Sequence, residues 1–132
     1  MTEGSLLVTK ELLLRYAWAS GDYNSIHFDA EDAKANRLPG IIVHGMLLLG
    51  LINKKIEDFL TSKKALNLFH LECRFVSMAF LGDVLSVKLE EVEFNAKAFP
   101  HVQTFLHISV IRTNDANTVA AVAKAQLTEK NY

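Results

Sequence analysis

Residues 41–52 read IIVHGMLLLGLI, the most apolar stretch of the chain, and any fold the chain adopts must find cover for it. The run stops at Asn53-Lys54-Lys55, well short of the roughly 18 to 20 apolar residues that a membrane span requires. It therefore predicts a core helix over about residues 43–60. The first part is apolar around most of its circumference. Lys54, Lys55, Glu57 and Asp58 make its end solvent-facing, as in a helix whose front is wrapped by other structure.

The second half of the chain supplies a wrapper. Phe69, Leu71, Cys73 and Phe75 alternate with His70, Glu72 and Arg74, the two-residue period of a half-buried strand. Three more strands are expected over about 84–94, 102–112 and 119–127. They are separated by Leu81-Gly82-Asp83, by the region of Pro100 and by Asn114-Asp115-Ala116-Asn117, each a stretch with turn chemistry. Before the apolar run the chain reads helical. Thr9 is an N-cap for a short helix carrying Leu12, Leu13, Tyr16 and Ala19 at helical spacing, and Gly21 stops it. Asp29 caps a second short helix over 30–34, and Leu38-Pro39-Gly40 breaks the chain before the long one. One long helix followed by antiparallel strands is an α+β pattern, a curved sheet rolled around the helix. With 132 residues and no linker, repeat or low-complexity tract, residues 1–132 are expected to form a single domain.

Composition narrows the function classes. Fourteen Lys and Arg against fifteen Asp and Glu leave a formal net charge of -1, so no global field draws in nucleic acid. The one cysteine, Cys73, cannot form an intrachain disulfide, and its predicted inward direction makes it a small core hydrophobe. The N-terminus lacks a basic start followed by an apolar stretch and a cleavage site, so the expected location is the cytoplasm, with no membrane partner. The six glycines form no phosphate-cradling loop. His70, His101 and His107 have no metal-ligand spacing.

Chemistry concentrates in SGDYNSIH, residues 20–27. Asp22 and His27 lie five residues apart in the loop after the first helix, with Asn24 between them and Tyr16 just upstream. A carboxylate and an imidazole within reach of one another can divide acid and base roles without a metal or cofactor. The same residues also read as turn formers beside an ordinary half-buried histidine.

The longer stretch YAWASGDYNSIHFDAEDA resembles the hydratase motif of the MaoC-like, (R)-specific enoyl-CoA hydratases, with an aromatic, a Ser-Gly-Asp, an Asn and a His in that order. LPGIIVHGMLLLGLI is similar to the start of that family's central helix. RFVSMAFLGDVLSVKLE is similar to its helix-wrapping strand, Gly-Asp turn and next strand. The resemblance implies a hot-dog fold, with Asp22 and His27 as the catalytic pair and Asn24 as a supporting polar residue. It also implies that the Gly45 backbone N–H at the head of the central helix faces the thioester carbonyl. Tight packing against the sheet is the alternative reason for that glycine.

The implied reaction adds water reversibly to a trans-2-enoyl-CoA thioester, giving an (R)-3-hydroxyacyl thioester, with no metal and no cofactor beyond the substrate's own carrier. A carrier-protein dehydratase, a thioesterase and a non-catalytic hot-dog subunit are the rival readings. A homodimer, or pairing with a second hot-dog subunit, is expected. One departure from the family pattern is Ser25, where proline usually follows the asparagine. His44 reads as structural although close to the site, and Lys54, Lys55, Lys63 and Lys64 as a solvated helix end.

Overall fold

The computed structural model describes residues 4–130. The elements are β1 (Ser5–Leu7), α1 (Lys10–Ser20), a 3-10 turn (Ser25–His27), α2 (Ala30–Ala35), α3 (Gly45–Ser62), β2 (Leu66–Phe75), β3 (Val84–Val92), β4 (Thr104–Arg112) and β5 (Thr118–Glu129). The strands form one antiparallel sheet in the order β1-β3-β4-β5-β2. α3 lies against β2, β3, β4 and β5, so the α+β arrangement of a sheet around one helix is the one observed. No helix of the described residues is long and apolar enough to cross a membrane.

Local chemistry places the helix ends where the sequence predicts them. Thr9 Oγ1 accepts the Leu12 N–H at 3.1 Å, satisfying one of the orphan donors of α1. Gly21, at φ 78°, closes the helix with its own N–H on the Ala17 carbonyl; that left-handed geometry suits glycine. Asp29 accepts from Glu31 and Asp32 N–H at the head of α2. α3 begins two residues later than expected, because His44 takes the flanking position at φ -58° and ψ 130°.

The core is a helix-on-sheet contact sorted by side-chain size. Leu47, Leu48, Ile52 and Ile56 form the buried stripe of α3. Facing it, β4 offers Leu106, Ile108 and Val110, whose register partners on β5 are Ala125, Ala123 and Ala121. All six are buried. Large residues on one strand beside alanines on the next let the helix settle close to the sheet. Each buried Leu or Ile side chain contributes about 1.5–3 kcal/mol relative to exposure. Met46 and Gly50 stay exposed, since one sheet covers the helix from one side only.

Two expectations are corrected. β2 starts at Leu66, and its register with β5 shifts between Leu68 and His70, so Phe69 is the extra residue of a bulge and is 52% exposed. The inward set is Leu71 and Cys73, with Leu66 before the bulge, all packed against the core, while Phe75 is 48% exposed at the strand end; a bulge breaks the strict alternation on which Phe69 was placed inside. The strand β1 had no counterpart in the sequence reading, because three residues are too few to show a period. Its pairing with β3 through Ser5–Ser86 to Leu7–Val84 is tertiary.

The chain between β2 and β3 anchors the approach to α3. The Val43 N–H donates to Ala79 O at 2.8 Å and Leu81 N–H to Ile41 O at 2.9 Å, bridging Ile42 to Phe80. Asp83, in the Gly-Asp turn, then locks this segment to β4. Its carboxylate accepts from Phe80 N–H at 2.7 Å, Arg112 Nε at 2.7 Å, Arg112 Nη2 at 3.2 Å and Asn114 Nδ2 at 2.8 Å.

Candidate active site

The loop 20–27 is built from side chains that each cap an amide two residues ahead. Ser20 Oγ accepts the Asp22 N–H at 3.1 Å, Asp22 Oδ1 the Asn24 N–H at 3.1 Å, and Asn24 Oδ1 the Ile26 N–H at 3.2 Å. Ser, Asp and Asn suit this because their short side chains reach their own backbone. The outcome is a 3-10 turn that swings His27 inward, where it is 6% exposed, while Asp22 keeps a side chain 51% exposed. Asn24 thus does its work here as the cap of the turn that presents His27. Ser25 opens that turn.

His27 is held by one nitrogen and left free at the other. Its Nδ1 lies 2.7 Å from the Ile42 carbonyl. A carbonyl only accepts, so Nδ1 carries the proton and Nε2 presents a lone pair. That Nε2 faces Asp22 Oδ2 at 3.9 Å, a spacing beyond a direct hydrogen bond and suited to a bridging water. The Ile42 carbonyl is in place because Ile42 is bridged to Phe80.

The structure brings a third side chain into this pair. His44, 2% exposed, donates its Nε2–H to the Asp22 carbonyl at 3.1 Å and stacks on His27 with ring centroids 3.7 Å apart and planes 19° from parallel. Tyr16 packs on its flank at 4.8 Å and Phe28 at 6.1 Å. Burial pushes the His44 imidazole below its ordinary pKa; its bond to the Asp22 carbonyl opposes that shift, and neighbouring His27 adds to it. The Tyr16 phenol is raised, first by burial and then by the Asp22 carboxylate. Sequence reasoning gave His44 a structural role. The available signal was a lone histidine inside an apolar run, since a buried imidazole must find partners.

Gly45 stands at the head of α3, exposed, and the helix opens without a side-chain cap. The Gly45 and Met46 N–H groups are therefore orphan donors at the positive end of the helix dipole, whereas Leu47 N–H donates to the His44 carbonyl at 3.0 Å. A Cβ at Gly45 would meet the Phe75 ring at 3.6 Å, an ordinary contact, so tight packing does not account for the glycine. Beside it lies an apolar cavity of about 620 Å³ lined by Gly45, Leu48, Phe75, Met78 and Phe80 among others. His27 borders a different, smaller recess of about 140 Å³ with Leu14, Phe28, Ile41 and Lys10.

Asp22, His27 and His44 offer ligand atoms within 4.8 Å of one another, but the donor set does not fit an ion. Metal lies in the plane of a ligating imidazole at roughly 2.0–2.1 Å. Two rings stacked 3.7 Å apart hold their lone pairs in parallel planes that one ion cannot share. The arrangement suits proton transfer instead.

The family described as MaoC like domain matches residues 2–114. The chain belongs to that family. The MaoC-like chain is 35% identical over 69 residues to the enoyl-CoA hydratase ChsH3 of Mycobacterium tuberculosis, covering 52% of this chain and 24% of that protein. It spans 5%, 7% and 24% of the lengths of three curated relatives it matches. Among solved structures it resembles the (R)-hydratase from A. caviae involved in PHA biosynthesis, at a TM-score of 0.78 and 21% identity over 95% of this chain and 90% of the other. It also resembles the ChsH1-ChsH2 complex from Mycobacterium tuberculosis, at a TM-score of 0.76 and 16% identity over 96% and 91%. The fold is accordingly the hot-dog fold, in a family of hydratases and dehydratases.

Proposed function

We propose that this MaoC-like domain adds water reversibly across the double bond of a trans-2-enoyl thioester to give an (R)-3-hydroxyacyl thioester. The observation that carries the reading is the tethered His27, whose Nδ1 is spent on the Ile42 carbonyl while Nε2 faces Asp22 Oδ2 across 3.9 Å. A water in that gap would accept a hydrogen bond from neither group as they stand and donate to both, which orients its oxygen lone pairs outward toward a substrate. One partner takes a proton as the water oxygen bonds to C3, and a proton is returned to C2. The Gly45 N–H polarises the thioester carbonyl and stabilises the enolate-like oxygen that forms between those events. Coenzyme A or an acyl carrier protein is the carrier of the thioester, and the resemblance to ChsH3 favours coenzyme A.

The test is loss of the conjugated-thioester absorbance of crotonyl-CoA and longer enoyl-CoAs on mixing with purified protein. Asp22→Asn and His27→Ala are each expected to slow turnover by about a hundredfold or more while the circular dichroism spectrum stays unchanged. Wild-type rates in either variant would remove the mechanism. Comparing coenzyme A with carrier-protein thioesters distinguishes hydratase from carrier-protein dehydratase, and release of free thiol would reveal a thioesterase instead.

Pairing with a second hot-dog subunit is part of the proposal. β2 is the edge strand of the sheet, and Phe69, Phe75, Val76 and Met78 on and beside it are exposed. A ten-residue edge strand with exposed Phe69 and Phe75 is a template for another chain unless covered. The paired ChsH1-ChsH2 hot-dog assembly is a precedent for such cover. For two copies of this chain, light scattering is expected to give twice 14.8 kDa; a monomer mass at working concentration would contradict it.

A further inference from the structure

His44 occupies the N-cap position of α3 but makes no side-chain cap bond to that helix. Its side chain turns the other way. The Nε2–H reaches the main-chain carbonyl of Asp22, 22 residues earlier, and the ring face lies on His27. The residue therefore touches both members of the Asp22/His27 pair and is bonded directly to Gly45, whose N–H heads the helix. The groups that face it are His27, Asp22 and Tyr16.

The rest of its environment argues against a purely packing role. Nδ1 of His44 is fully buried and lacks a hydrogen-bond partner, a configuration that lowers stability relative to an apolar ring of the same shape. A phenylalanine, slightly larger, would present a ring face to Tyr16, Phe28 and His27 without stranding a nitrogen. What phenylalanine could not supply is the donor to the Asp22 carbonyl. The unpartnered nitrogen is the consequence of placing a ring face and an N–H donor in one side chain.

We propose that His44 is a positioning residue of the site: its Nε2–H clamps the Asp22 main chain and its ring face holds the His27 imidazole, so that Asp22 Oδ2 and His27 Nε2 keep their spacing. Its effect on turnover rests on the hydratase reading above; the geometric clamp does not. The neutral tautomer is required, because Nε2 must carry the proton for the carbonyl while Nδ1 stays bare in an apolar cleft.

The test combines nitrogen-15 NMR of the histidine rings with kinetics on crotonyl-CoA. In the wild-type protein, the expected signals are the Nε2–H tautomer for His44 and the Nδ1–H tautomer for His27, at a pH where both are neutral. The opposite tautomer at His44, or free exchange between the two, would overturn the clamp without any variant. His44→Phe keeps the ring face and removes the donor; His44→Gln keeps a donor and removes the face. Each is expected to fold, to alter the His27 ring shifts, and to lower kcat by about ten- to a hundredfold with a smaller change in KM. A residue serving only the core would change the unfolding midpoint and leave kcat, the pH profile and the His27 signals as in wild type; that result in both variants would overturn the proposal. If wild-type protein hydrates no enoyl thioester, the hydratase reading fails, and the NMR arm still decides the role of His44.

Discussion

Asp83→Ala is the substitution for which the structure makes the sharpest demand. The carboxylate is 4% exposed and accepts four hydrogen bonds, two from the Arg112 guanidinium and one each from Phe80 N–H and Asn114 Nδ2. Alanine leaves those donors facing a void, with Arg112 only 15% exposed. Breaking a buried pair on one side costs about 3–5 kcal/mol. The lower end applies here, because Arg112 Nη1 keeps Asp115 Oδ2 at 2.8 Å. With a urea slope of about 1–3 kcal/mol per molar, a loss of about 3 kcal/mol lowers the unfolding midpoint by about 1–3 M. Far-ultraviolet circular dichroism is the suitable probe, since Trp18 is 73% exposed and its emission is a weak reporter of the core.

The pH dependence has a definite sign. Burial pushes the Asp83 carboxyl up, but the bonds from Arg112, Asn114 and the Phe80 amide outweigh it and hold the group below its ordinary value. A depressed folded pKa means that the stabilisation is present above the unfolded value of about 3.9 and is lost as pH falls through the folded pKa. Wild type and Asp83→Ala should therefore differ fully at pH 7 and converge in acid below about pH 4. A midpoint change under about 0.3 M at pH 7 with unchanged slope, which even the steepest slope above turns into less than about 1 kcal/mol, would refute the reasoning. Asp115→Ala, whose carboxylate is 55% exposed, is the control, with an expected loss under about 1 kcal/mol.

Gly45→Ala separates packing from chemistry: the new methyl meets only the Phe75 ring at 3.6 Å and alanine favours the helix, so thermal stability should hold or rise. Catalytic efficiency on crotonyl-CoA should fall about tenfold, about 1.4 kcal/mol of transition-state stabilisation, because the methyl crowds the approach to the N–H; unchanged efficiency would remove that N–H from the mechanism. Ser25→Pro should raise stability by about 0.4–1 kcal/mol, since Ser25 opens the 3-10 turn and Asn24 before it already has ψ 129°, as a residue preceding proline requires. A lowered melting temperature would show that the Ser25 N–H is needed where it stands.

The sequence by itself determined what depends on short-range chemistry. The caps at Thr9 and Asp29, the stop at Gly21, the long helix and four of the five strands follow from side chains acting on their own neighbours. The loop holding Asp22 and His27 was legible as a turn for the same reason, because Ser20, Asp22 and Asn24 each bond an amide two residues on; its reading as a site rested on the resemblance to the MaoC-like motif. Only the tertiary structure decided what those residues meet. The register of β2 against β5 moved Phe69 out of the inward row, and Arg112 and Asn114 reached Asp83 across 29 and 31 residues. His27 found its acceptor on Ile42, and His44, read from sequence as structural, closed over both members of the pair. Period and capping are local signals that carry no information about partners so far along the chain. Those partners are set by how the sheet curves around α3, and they hold the His27 ring of a polar loop facing Asp22.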